Sequence, residues 1–106
     1  MSNQTTSEQD STAGVTPSAP WRLKAVSVLP GFRLAVTFQD GLRGIVDCSA
    51  LRTSTKLGVY AELANPEVFA QVRLELGVAT WPNGADIDPA WMHEMLRNGK
   101  TWPVPF

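Results

Sequence analysis

The stretch Phe32–Asp47, FRLAVTFQDGLRGIVD, decides the fold. It holds two β-prone runs, FRLAVTFQ and LRGIVD, on either side of Asp40-Gly41. An Asp-Gly pair between such runs is a strong hairpin signal, because a type I′ turn needs positive φ at both central residues. A two-residue loop there pairs Phe38 with Arg43, Val36 with Ile45 and Leu34 with Asp47. Side chains two apart share a face, so Phe32, Leu34, Val36, Phe38 and Ile45 are expected on the core face. Thr37, Gln39 and Gly44 are expected on the other.

Upstream, LKAVSV (Leu23–Val28) is a short β-prone run ending at the turn signal Pro30-Gly31. Downstream, Cys48–Tyr60 reads as irregular, with Leu51, Leu57 and Tyr60 as anchors to the core. Asn65-Pro66 then opens a short helix, with Asn65 as N-cap and proline at the first helical position. VRLE and VATW form a second hairpin around Leu76-Gly77, in which Val72 faces Trp81 and Leu74 faces Ala79. A final helix starts at the N-cap Asp88 and ends at Gly99, with Ile87 and Met92 spaced as a hydrophobic staple. Trp91, Met92, Met95 and Leu96 make its apolar stripe, and His93, Glu94, Arg97 and Asn98 its wet face. Together these elements predict an α+β domain: a small antiparallel sheet of about five strands (two hairpins) with two helices packed on one side.

Composition bounds the rest. The chain has 106 residues, nine Lys+Arg against ten Asp+Glu, and a formal net charge of −1. Residues 1–20 carry eight Ser/Thr and no Lys or Arg, so they are expected to form a disordered tail. Residues 21–106 are then a single domain. The tail has neither a secretory nor a transit-peptide pattern, and no apolar run reaches the ~18 residues of a membrane span. The expected location is the cytoplasm, with no membrane partner. Without a basic excess, direct nucleic-acid binding is not expected.

Chemistry-bearing motifs fail on inspection. His93-Glu94 starts like a zinc-protease HExxH, but Arg97 stands where the second histidine must be. Gly99-Lys100-Thr101 lacks the glycine, the strand and the helix of a phosphate-binding loop. Cys48, the single cysteine, excludes a disulfide framework and is expected to be a small buried hydrophobe. The densest polar cluster, Trp81–Asp88, offers oxygens at Asn83, Asp86 and Asp88 without the spacing of a calcium loop. Turn formation at Asn83-Gly84 and capping by Asp88 account for it, with a ligand or partner contact, or a metal, as the alternatives. After Gly99 the chain must run extended, which sets Trp102, Val104 and Phe106 on one face. That stripe is expected to fold back on its own domain or to cover a hydrophobic patch on a second copy or another protein. Trp81, Asn83, Asp86, Trp102 and Phe106 are the candidate contact residues. No catalytic, cofactor-binding or metal-ligating residue is expected.

The segments LAVTFQDGLRGIVDCSAL (Leu34–Leu51) and ELANPEVFAQVRLELGVATWPNGADIDPAWM (Glu62–Met92) resemble the bacterial domain-of-unknown-function 2442 family. Three of that family's motifs recur in order: the LxVxFxDGxxxxVDLSxL hairpin, the LxDPxxFxxVxV segment and the WPNGxDIxPDxLY ending. The resemblance runs from Trp21 to Leu96. It departs at Cys48, where leucine is common, and at Trp91-Met92-His93, within the last motif. The resemblance implies an α+β fold and no established enzyme activity. Some relatives continue into a helix-turn-helix; this chain is expected to be the stand-alone form without it. Others are encoded beside a second small domain, as in toxin–antitoxin pairs. The resulting expectation is a non-enzymatic protein-interaction or regulatory module, working with a neighbouring-gene protein partner or by self-association. The alternatives are a DNA-linked transcriptional regulator acting through oligomerisation, and a small-molecule-binding domain or small enzyme using the Asn83–Asp88 loop.

Overall fold

A computed structural model describes residues 19–54 and 58–106. The disordered-tail expectation for residues 1–18 and the anchor Leu57 lie outside the described residues. Ala19 and Pro20 are described, and they make the first turn: Arg22 N–H donates to Ala19 O at 3.0 Å.

In chain order, β1 is Leu23–Leu29, β2 Arg33–Phe38 and β3 Arg43–Asp47. Two 3-10 segments follow, Ser49–Arg52 and Gly58–Ala64, and then the four-residue helix α1, Pro66–Phe69. Next come β4 Arg73–Glu75, β5 Val78–Thr80, β6 Asp86–Ile87, helix α2 Pro89–Leu96 and β7 Thr101–Pro103. The α+β class is as expected, but the strands build two sheets rather than one of about five strands. One runs β1-β2-β3-β7 and the other β4-β5-β6. The second hairpin does not extend the edge of β1. It meets that strand at its start, where Leu23 N–H donates to Gly77 O at 2.9 Å. The fourth strand of the larger sheet is instead the C-terminal segment, paired parallel to β3 through Ile45–Thr101, Val46–Trp102 and Asp47–Pro103. Pro103 keeps that outer edge short of donors.

The first hairpin forms one residue away from the expected register. Val36 pairs with Gly44 and Leu34 with Val46. The loop has three residues, Gln39-Asp40-Gly41: Phe38 N–H donates to Leu42 O at 2.8 Å and Gly41 N–H to Phe38 O at 2.9 Å. Only Gly41 has positive φ, +93°, so the turn is not type I′ but one that ends in a glycine bulge. Asp40 Oδ1 accepts from Leu42 N–H at 2.9 Å, which ties the bulge. The shift reverses two faces. Gly44 comes onto the core face, and Ile45 moves to the opposite, half-exposed one.

Gly44 is the gap into which α2 packs. A Cβ there would sit 2.7 Å from Leu96 Cδ2. The helix starts as expected, with Asp88 Oδ1 accepting from Ala90 N–H at 2.9 Å and Pro89 in the first turn. Its buried face is not the expected stripe. Pro89, Met92 and Leu96 are buried, whereas Trp91 and Met95 face outward. His93 does not belong to the wet face: its side chain is only 16% exposed, packed edge-on against Phe38 at 4.8 Å. Gly99 lies beyond the C-cap Arg97 and is not among the glycines with positive φ. The second hairpin matches its expected register, Leu74 opposite Ala79, and here both turn residues, Leu76 and Gly77, have positive φ (53° and 78°). Buried apolar side chains from both sheets and both helices form one core cluster.

Candidate functional site

The polar cluster singled out in the sequence is a second copy of the first hairpin's loop. Trp81 N–H donates to Ala85 O at 2.8 Å and Gly84 N–H to Trp81 O at 2.9 Å. Asn83 Oδ1 accepts from Ala85 N–H at 3.0 Å, as Asp40 does for Leu42. Asn83 has a further task. Its Nδ2 donates to Val59 O at 3.0 Å and to Glu62 Oε1 at 2.8 Å. It thereby pins the second 3-10 segment against the loop, and this sets Tyr60 in place. The Tyr60 hydroxyl donates to Asp86 O at 2.7 Å.

Behind that contact opens a cleft of about 430 Å³, lined by Tyr60, Asp86, Ile87, Asp88, Trp91, Val104, Pro105 and Phe106. Three elements build it: the 3-10 segment, the β6–α2 junction and the C-terminal segment after β7. That C-terminal segment folds back on its own domain, because Trp102 and Val104 are buried and Val104 N–H donates to Asp47 O at 2.8 Å. The Phe106 ring then lies 5.0 Å from Tyr60, and Trp91 lies 4.7 Å from Trp102. Burial, and after it the charge of Asp86, pushes the Tyr60 phenol above its ordinary value. The cleft is apolar and aromatic, with two acidic residues, Asp86 and Asp88, in its lining.

Of the candidate contact residues, Asp86 and Phe106 line this cleft, while Trp81, Asn83 and Trp102 support it. Trp81 is buried, and its indole N–H donates to Phe69 O at 2.9 Å. Sequence reasoning missed Tyr60 and Trp91 as cleft residues. The available signal was the helical period of Pro89, Met92, His93 and Leu96, which rotates Trp91 and Met95 off the core face. Trp91 is 44% exposed and Met95, one turn on, is 42% exposed, so an apolar stripe leads out of the cleft along α2.

Two reactive side chains lie elsewhere. Cys48 is buried, and its thiol is pushed up to about 12 by burial and the neighbouring Asp47, which leaves it without thiolate at neutral pH. His93 Nε2 sits 2.8 Å from Asp40 Oδ2, linking α2 to the tip of the first hairpin. Among the described residues no three His, Cys, Asp or Glu side chains group as metal ligands, and no helix is long and apolar enough to cross a membrane. A second groove of about 430 Å³ runs along Val28, Pro30, Phe32, Arg52, Pro66 and Phe69. Among the described residues, none of the exposed large apolar side chains lines it.

A family model described as a protein of unknown function, DUF2442, matches residues 23–99. No curated protein and no solved structure matches the chain. The matched span contains both loops, Tyr60 and the β6–α2 junction, and stops before the lip formed by Val104–Phe106.

Proposed function

We propose, for a chain that belongs to the DUF2442 family, a non-enzymatic role as a protein-interaction module that docks its partner at the Tyr60–Trp91–Phe106 cleft. One observation carries the reading: the exposed Trp91–Met95 stripe runs into a concave aromatic site. Trp, Tyr and Met are enriched at the centres of protein interfaces, where they supply large rigid contact area. An outward tryptophan beside a preformed cleft fits that use better than it fits an ordinary wet helix face. The side chains at the site support the same reading. Tyr60 spends its hydroxyl on a backbone carbonyl, and Asp88 spends one oxygen on the helix cap. On this reading the protein acts in a bacterial cytoplasm, with a partner encoded by a neighbouring gene or with a second copy of itself.

Site-specific photo-crosslinking in cells tests it. A benzophenone side chain at position 91 should give a discrete adduct, while one at Lys24, exposed on β1, should not. An adduct of twice the 11.5 kDa chain mass identifies self-association, and any other mass a different partner. Adducts from position 24 and none from position 91 would sink the proposal.

A further inference from the structure

The cleft is both aromatic and acidic, and that combination defines what it can hold. Tyr60, Trp91 and Phe106 give three ring surfaces, and Asp86 and Asp88 bring two carboxylates to the same wall. Among the described residues neither carboxylate is in an ion pair. The ion pairs among the described residues are Arg73–Glu75, His93–Asp40 and Arg97–Glu94. Asp86 accepts through its main-chain carbonyl, and the Asp88 side chain accepts through Oδ1 alone. Among the described residues, three carboxylate oxygens therefore remain to receive donors from a guest.

We propose that the cleft receives an arginine side chain presented by the partner, a statement that rests on the docking reading above and adds the chemistry of the anchor. A guanidinium is planar and weakly hydrated, stacks on aromatic faces and carries five donors in a fixed fork. Its charge offsets that of Asp86 and Asp88, and its donors match their free oxygens. An ammonium is more strongly hydrated and presents no plane to stack. A hard divalent cation on two carboxylates would keep most of its ligands as water and would make no use of the three rings. A neutral apolar anchor would leave both carboxylates partly desolvated without a partner, which is costly.

NMR titration of the full chain with N-acetyl-arginine N-methylamide tests the proposal, with the citrulline analogue as a neutral isostere. The arginine probe should shift the Trp91 indole resonance and the amides of Asp86–Trp91 saturably. The citrulline probe should bind about tenfold more weakly. The double variant Asp86→Asn, Asp88→Asn should bring arginine binding down to the citrulline level. An asparagine at the N-cap still caps α2, and an unchanged melting curve verifies that the fold is kept. Equal binding of the two probes, or no saturable shift at the cleft, overturns the arginine assignment. Failure here is separable from failure of the docking reading: a partner adduct from position 91 with equal probe binding removes only the arginine.

Discussion

At Gly44 the backbone of β3 is bare because Leu96 occupies the space a side chain would take. Adding one methyl group there forces a buried leucine to move in a packed core, which typically costs about 1–3 kcal/mol. Gly44→Ala should lower the urea-unfolding free energy by that amount. Leu96→Ala alone should lower it by about 2–5 kcal/mol. The double variant should lose less than the sum, because the new methyl fills part of the cavity. Two carboxylates make a second residue-scale prediction. The backbone N–H of Leu42 and the His93 ring hold Asp40 below its ordinary 3.8. Hydrogen bonds from Ser49 do the same for Asp47. A carboxylate depressed by folding adds stability that is fully present above its unfolded value. That stability is lost as the pH falls through the lower folded value. Stability should therefore drop on acidification below about pH 4, and Asp40→Asn with Asp47→Asn should flatten the drop. An equally steep fall in the double variant would mean that other groups govern it.

At the scale of elements, α2 depends on its ends. Asp88→Ala should cost about 1 kcal/mol, and Asp88→Asn clearly less, since asparagine caps nearly as well. Equal losses in thermal or chemical unfolding would contradict the capping role. Removal of Thr101–Phe106 takes the fourth strand from the larger sheet, together with the buried Trp102 and Val104. The truncated chain should lose at least the ~3–5 kcal/mol typical of deleting one buried tryptophan, read by chemical unfolding. Local signals made most elements legible: Asn65-Pro66, Asp88-Pro89 and the second hairpin could be read from side-chain chemistry alone. The first hairpin was legible in existence and wrong in register. Asp40-Gly41 fits two loop types that differ by one residue, and the core decides between them by placing Gly44 under Leu96. Strand β7 was not legible as a strand, because its partner lies far back in the chain and only packing selects it. Two sheets were missed for a similar reason. Pairing between hairpins is a tertiary choice, and the bond from Leu23 to Gly77 leaves no trace in either segment.

For the whole molecule, one core joins two sheets, and the cleft sits where the 3-10 segment, the β6–α2 junction and the C-terminus converge. Half of that site could be anticipated. Asp86 and Phe106 stood out as candidates, whereas Tyr60 and Trp91 are brought to the cleft by the Asn83 tether and by the rotation of α2. Trp91 is the residue on which the functional reading turns, and it adds little to folding. Removing it costs the ring contact with Trp102, about 0.5–1.5 kcal/mol, together with the covered part of a half-exposed ring, and leaves the buried core residues of α2 in place, so the Trp91→Ala chain should stay folded. The most direct measurement is the dissociation constant of the captured partner for Trp91→Ala against the original chain, with melting curves recorded on both. An interface anchor contributes at least about 2 kcal/mol. The account therefore predicts binding weakened roughly 30-fold with the fold retained. Unchanged affinity in a folded Trp91→Ala chain would contradict it.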